Sequence, residues 1–171
     1  KLLPWYDDNA RDLPWRRAVT PYRVWVSEIM LQQTRIEAAR GYFARFMDAL
    51  PTANALAAAD AETVLKLWEG LGYYSRARNL HRAAGIVAAE YGGELPADYA
   101  ALRALPGIGD YTAGAIASIA FGLPEPAVDG NVLRICERLT CCPDSVGDEK
   151  VKRAFREELR AQYPAGRCGD F

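Results

Sequence analysis

Histidine is almost missing from this chain: His81 stands alone among 171 residues. A single imidazole has no partner with which to share a metal, so His81 reads as a partly buried hydrogen-bonding residue. Cysteine is little richer. Cys136, Cys141, Cys142 and Cys168 make neither a C-x-x-C pair nor a zinc spacing, which argues for free thiols in a reducing compartment. No apolar run reaches the length of a bilayer crossing, and the opening residues, with Asp7 and Asp8, do not look like a signal peptide. The expectation is a soluble, monomeric, cytoplasmic protein with no membrane partner. Excess positive charge is also lacking: the formal net charge is -1. Any nucleic acid would therefore be met by local faces and by backbone amides rather than by a basic surface. No segment alternates at period two over a strand's length, and neither a heptad nor a solenoid period persists, so sheet, coiled-coil and repeat architectures are set aside.

What remains is half apolar and one quarter charged, enough for a core and too apolar for disorder. The periodicity is helical throughout, and an all-α chain of nine or ten short helices is predicted. Residues 1–20 read as an aromatic, Pro-containing arm with a short helix near Leu2 to Asn9. Helices follow over Pro21 to Thr34, Ile36 to Leu50 and Ala53 to Ala59, then one led by Asp60 and closed by Gly70-Leu71-Gly72. Ser75 is expected to cap a long helix reaching Tyr91, stopped by Gly92-Gly93. The last four are placed at Tyr99 to Leu105, Thr112 to Phe121, Val132 to Leu139 and Asp148 to Tyr163. Turns at 70–75 and 122–131 suggest two helical lobes with a cleft between them.

The stretch Leu105 to Asn131 frames a site. Gly107 and Gly109 are expected to turn the chain at positive φ, leaving amides open at the start of a small-residue helix, an arrangement that binds phosphate without lysines. Asp110 then puts a negative charge near that contact. Farther on, Val128-Asp129-Gly130-Asn131 presents a carboxylate in a turn, where a simple helix cap is the commoner meaning. Glu28 lies within an otherwise apolar helix, and neighbours such as Trp25 and Met30 promise burial, which would raise its pKa and suit it to donate a proton. A solvent-facing Glu on an amphipathic helix is the alternative. Two carboxylates in unlike settings are what glycosidic bond cleavage uses, one as acid and one facing the developing cation. Arg76, Arg78, His81 and Arg82 cluster on one stretch and read as a solvated face.

Five blocks in order carry a resemblance: Trp15-Arg16, Pro21 to Arg35, Trp68 to Leu80, Leu105 to Phe121 and Val128 to Val132. Together they resemble the catalytic domain of MutY-type adenine DNA glycosylases, in the helix-hairpin-helix superfamily that includes endonuclease III, over essentially the whole chain. The resemblance implies removal of adenine mispaired with 8-oxoguanine or guanine in duplex DNA. It implies Glu28 as the acid protonating adenine N7, Asp129 as the carboxylate stabilising the oxocarbenium ion and transiently bonding C1′, and Asn131 as its hydrogen-bonding neighbour. Gln33 and Tyr73 match residues that enter the helix near the lesion, beside Leu31, Gln32 and Thr34. Gly107 and Gly109 match the phosphate-binding hairpin, and Trp15 and Arg16 match contacts to the extruded base. Tyr111 stands where endonuclease III-like enzymes carry a Schiff-base lysine, so strand cleavage is not expected. Thymine glycosylases acting on G·T mismatches share a tyrosine there and form the competing reading, with a catalytically silent DNA-binding fragment as a third.

The same resemblance divides the chain into an arm (1–20) packing on the second lobe, a six-helix lobe (21–130) holding the hairpin at about 99–121, and an incomplete second lobe (131–171). Family members continue to four cysteines holding a [4Fe-4S] cluster. None of the four cysteines here matches those ligands, so no metal is expected in these residues, and the cluster is expected only in a longer parent chain. Lys1 and the ending at Phe171 read as trimmed ends. A bacterial-type protein working at the nucleoid is the expected setting.

Overall fold

The computed structural model describes residues 2–141 and 147–171. Among them lie α1 (Leu2–Asn9), α2 (Pro14–Arg17), α3 (Pro21–Leu31), α4 (Ile36–Ala49), α5 (Ala53–Ala58), α6 (Ala61–Trp68), α7 (Ser75–Glu90), α8 (Tyr99–Ala104), α9 (Asp110–Ala115), a π-helical segment (Ile116–Ala120), α10 (Gly130–Thr140) and α11 (Glu149–Gln162). No strand occurs among the described residues, and none of the described helices is long and apolar enough to cross a membrane.

α3 is the central element. Thr20 Oγ1 accepts from the Arg23 amide at 3.2 Å, and Pro21 occupies the first turn, where its missing N–H costs nothing. Seven of its eleven residues are buried, with Trp25, Val26 and Met30 fully so. Around it pack α4, α7, α9 and the π segment. Phe46 of α4 meets Trp68 of α6 edge-to-face, with ring centroids 6.1 Å apart. Each such aromatic contributes roughly 1.5–3 kcal/mol through burial alone, so this core can hold a functional group in an unfavourable setting.

The buried residues from Leu13 to Ala117 form one continuous cluster. Leu133, Phe155 and Cys168 are buried outside it. α10 and α11 contact one another apart from that cluster, which gives the fold its two-lobed character. The arm touches both lobes: Trp15 packs edge-to-face on Phe43 at 5.4 Å, while Asp7 pairs with Arg167 near the chain's end at 2.5 Å.

Several local expectations change. The helix predicted from Thr112 begins at Asp110, and at Ile116 it widens into π geometry. Ser118 Oγ donates to the Gly114 carbonyl at 2.8 Å within this widening. Gly114 is small for a reason: a Cβ there would lie 2.4 Å from the Pro126 carbonyl oxygen. The extended stretch leading to Asp129 thus crosses directly over the helix. Of the two hairpin glycines, only Gly107 is left-handed (φ 80), and a Cβ on it would meet Asn79 at 2.8 Å. Gly109 is extended (φ -89, ψ -179) with open space around it, so positive φ is not its role. Tyr74, not Ser75, is the N-cap residue of α7, and it makes no side-chain capping bond. α3 stops at Leu31 rather than continuing to Thr34.

Candidate active site

A cleft of about 810 Å³ opens where the C-terminal half of α3 faces α9, the arm and the loop before α10. Glu28 and Asp129 both line it, as do Tyr111, Trp15 and Arg16. Leu31, Gln32, Gln33 and Tyr73 line it too. Of the remaining anticipated residues, Asn131, Thr34, Gly107 and Gly109 are not on its wall.

Glu28 keeps some solvent access, as a group that meets a ligand must. Even so, burial raises its pKa from 4.5 to about 7. A hydrogen bond with the Tyr111 hydroxyl and the charge of Arg16 work against that rise, and the neighbouring Asp129 charge adds to it. Burial dominates because carboxylate ionisation in a site walled by aromatic and aliphatic groups forfeits hydration that two weak partners do not restore. The Tyr111 phenol is in turn pushed up, first by burial and then by the Glu28 and Asp129 charges. The three groups therefore feel one another. The expected direction at Glu28 holds, although the neighbours named for it do not: Trp25 and Met30 face the core and are absent from the cleft wall.

Asp129 is a helix cap and a cleft residue at once. Its Oδ1 accepts from the Asn131 and Val132 amides, each at 2.9 Å, and its Oδ2 accepts from Asn131 Nδ2 at 2.8 Å. A carboxylate can only accept, and three donors fix its orientation. Asn131 is exposed and in turn accepts from the Arg134 guanidinium. Its link to the cleft thus runs through Asp129.

Gln33 and Tyr73 share an unusual backbone. Both are left-handed, with φ 56 and φ 47, and both are exposed, Tyr73 at 64%. Non-glycine residues reach that region at a cost of about 1–2 kcal/mol each. Gln32 Nε2 donates to Thr112 Oγ1 at 3.4 Å, joining the end of α3 to α9, and Thr34 Oγ1 donates to the Gln32 carbonyl at 3.4 Å. Asp110 sits beside arginines: Arg103 Nε donates to it at 2.6 Å, Tyr99 donates at 3.2 Å, and Arg156 lies 3.9 Å away. Its negative charge is thereby offset, and the hairpin amides are not left facing an unopposed carboxylate. The Arg103 bond, with the nearby tyrosine and the positive charges, holds the Asp110 pKa below the usual carboxylate range.

Among the cleft residues that the sequence reading did not assign to the site are two cations, Arg11 and Arg76. Nothing in its local pattern marks Arg11. Arg76 had a signal: it occupies the same helical stripe as Leu80, Ala83 and Val87, all buried. It is buried rather than part of a solvated face, whereas Arg78 and Arg82 are exposed. Among the described residues no three His, Cys, Asp or Glu side chains are grouped as a metal would require. Cys136, Cys141 and Cys168 are free thiols, and among the described residues they are not gathered as the ligands of an iron-sulfur cluster would be. Cys142 lies outside the described residues.

Comparison with known proteins adds to this geometry. The profile of the HhH-GPD superfamily base excision DNA repair proteins matches residues 26–161. Adenine DNA glycosylase of Rattus norvegicus is 50% identical over 179 aligned residues, which cover 99% of this chain and 35% of that protein. The Homo sapiens adenine DNA glycosylase is also 50% identical, with 33% of its length covered. The chain thus spans about a third of these curated relatives. Among solved structures, a thermostable thymine-DNA glycosylase superposes with a TM-score of 0.85 at 26% identity, covering 99% of this chain and 78% of that one. A non-covalent endonuclease III–DNA complex gives 0.78 at 25%, covering 98% and 76%.

Proposed function

This chain belongs to the HhH-GPD superfamily of base excision DNA repair proteins, and from that footing we propose that it is the catalytic core of a monofunctional adenine DNA glycosylase. Its substrate is adenine mispaired with 8-oxoguanine or guanine in duplex DNA. The observation that carries the reading is that Glu28, with a pKa near 7, and Asp129 line one cleft. Half-identity to two mammalian adenine DNA glycosylases supports adenine as the base.

The chemistry follows from the two settings. Adenine leaves badly as an anion, so the Glu28 proton passes to N7 as the C1′–N9 bond breaks, and the base departs neutral. The sugar left behind carries positive charge, which the fixed Asp129 carboxylate faces. Water then bonds to C1′, and its proton returns to a carboxylate, leaving an abasic sugar. Because a duplex hides this bond, the nucleotide must leave the stack. Gln33 and Tyr73, exposed on two adjoining turns, take the space it vacates, while Trp15 and Arg16 meet the extruded base. The hairpin amides after Gly107 hold the phosphate backbone. Tyr111 offers no amine for a Schiff base, so strand cleavage through β-elimination is not part of the reaction. We infer that the protein works beside DNA, in a bacterial cytoplasm at the nucleoid.

The structural likeness to a thymine-DNA glycosylase supports a second reading, thymine removal from G·T mismatches. Single-turnover assays on duplexes holding A opposite 8-oxoguanine, A opposite G, and T opposite G decide between them. Free adenine from the first two with none from undamaged DNA is expected. Thymine release instead, or no base release, would end the proposal.

A further inference from the structure

The last turn of any α-helix leaves carbonyls without helical partners, and a left-handed glycine is a common device for satisfying them. α3 has no glycine there. A side chain from the first turn of α7 takes over: Arg76 Nη1 lies 3.0 Å from the Ile29 carbonyl, 2.9 Å from that of Met30 and 2.5 Å from that of Gln32, with Thr34 Oγ1 at 3.3 Å. Its other terminal nitrogen, Nη2, donates to the carbonyls of Leu71 at 3.2 Å and Gly72 at 3.1 Å. The guanidinium carbon stands 5.4 Å from the Trp68 ring centre and 5.6 Å from that of Tyr73. One planar fork therefore ties the turn ending in Gln33 to the turn ending in Tyr73.

The placement is unusual for a charge. Arg76 is only 9% exposed, and none of the described ion pairs involves it. Its partners are carbonyl dipoles, including the negative end of α3, and aromatic faces. Burying a cation this way is costly unless it holds something in place. What it holds are the two left-handed residues Gln33 and Tyr73, whose strained backbones persist only where the surroundings over-determine them.

We propose that Arg76 is the positioning residue of the DNA-entering pair: it fixes Gln33 and Tyr73 at one separation, so that they enter the duplex together as a preformed double wedge. The inference rests on the functional reading above for what the wedge does, and on the hydrogen bonds alone for what holds it. A lysine keeps the charge but lacks the planar fork that reaches both turns.

Two measurements test it. Amide hydrogen exchange on R76K should rise about tenfold at residues 31–34 and 70–74 together, with α4 unchanged. Exchange unchanged at both turns, or raised at only one, overturns the proposal. R76Q, which removes the buried charge along with the fork, is the companion variant where R76K proves too unstable. The second measurement is fluorescence of 2-aminopurine placed opposite 8-oxoguanine, which reports extrusion. R76K should lower the amplitude about tenfold in the wild-type background, and less than about twofold when Gln33 and Tyr73 are already alanine. Equal loss in both backgrounds would mark a general structural role and sink the idea. A wild-type protein that extrudes the base but releases no adenine would end the functional reading while leaving the positioning role intact.

Discussion

α3 and α10 each deliver one carboxylate to the same cleft, and their surroundings are built in opposite ways. α3 buries seven of its eleven residues. α10, of equal length, buries only Leu133, while Ile135 is 55% and Leu139 79% exposed. Glu28 depends on the packing around α3, which strips water from it and leaves Tyr111 as a hydrogen-bonding partner. Asp129 is oriented locally, by three N–H groups from its own turn and helix start. In the proposed reaction tertiary burial tunes the proton donor, because desolvation is the largest cause of the raised Glu28 pKa. Local hydrogen bonding is the means of aiming a carboxylate at a developing cation, because it fixes oxygens without removing their charge.

The widest consequence is in the rate. E28Q removes the transferable proton while keeping the shape, and single-turnover adenine release should fall by about 10³-fold or more. D129N keeps the turn and removes the charge, for a loss of about 10²–10³-fold. The two losses should differ in pH dependence. Wild type should lose rate above about pH 7, as Glu28 gives up its proton, and D129N from a somewhat lower pH, because the Asp129 charge helps raise that pKa. E28Q should show no such limb. A limb surviving in E28Q would move the acid role to another group.

Stability carries the same asymmetry at smaller scale. The folded pKa of Glu28 is raised from 4.5 to about 7, so between those values the folded state binds more protons than the unfolded one. Its stabilising contribution is complete below pH 4.5, declines as pH rises, and is gone above about 7. The amount is on the order of 2 kcal/mol once residual solvent access is discounted. Wild type minus E28Q, followed by urea unfolding from pH 4 to 8, should show that decline. A flat difference would mean that Glu28 is not desolvated.

These same differences decided what could be read from the sequence. α3 was legible, because Pro21 and the apolar spacing of Val24, Trp25 and Ile29 mark a buried helix, and Glu28 stands out within it. Asp129 was legible as a cap from its tetrapeptide alone. That the two share a cleft was legible only through the family resemblance, since a hundred residues of tertiary packing intervene and no local rule carries that distance. The end of α3 was misplaced because Gln32 and Gln33 are good helix formers; the chain instead leaves the helix in a left-handed turn at Gln33, where Arg76 from α7 meets the Gln32 carbonyl. The π segment was likewise hidden, as Ile116 to Ala120 has ordinary helical composition. Gly107 and Gly109 look alike in sequence, yet only the former needs to be glycine for its φ.

A finer probe of the packed side is Tyr111. Its hydrogen bond favours ionised Glu28 and so holds the pKa below what burial alone would give. Y111F should therefore move the falling limb of the pH–rate profile upward by roughly one unit, the equivalent of one hydrogen bond to a charged group. A downward move would show that the phenol sustains the acid form instead. Because the phenyl ring is retained, the packing on this wall of the cleft is preserved.

The smallest effect tests the other side. If Asp129 is held by its own helix start, its contribution to folding is that of a cap and nothing larger. Asparagine caps as well as aspartate, so D129N should unfold within about 0.5 kcal/mol of wild type, whereas D129A should lose about 1 kcal/mol by leaving the Asn131 and Val132 amides without their acceptor. Urea midpoints at constant m-value separate the two. Since D129N is expected to be nearly inactive and nearly as stable as wild type, the pair of measurements divides what the carboxylate does for the reaction from what it does for α10. A D129N protein destabilised by several kcal/mol would mean that the charge itself holds the second lobe in place, and the contrast with Glu28 would dissolve.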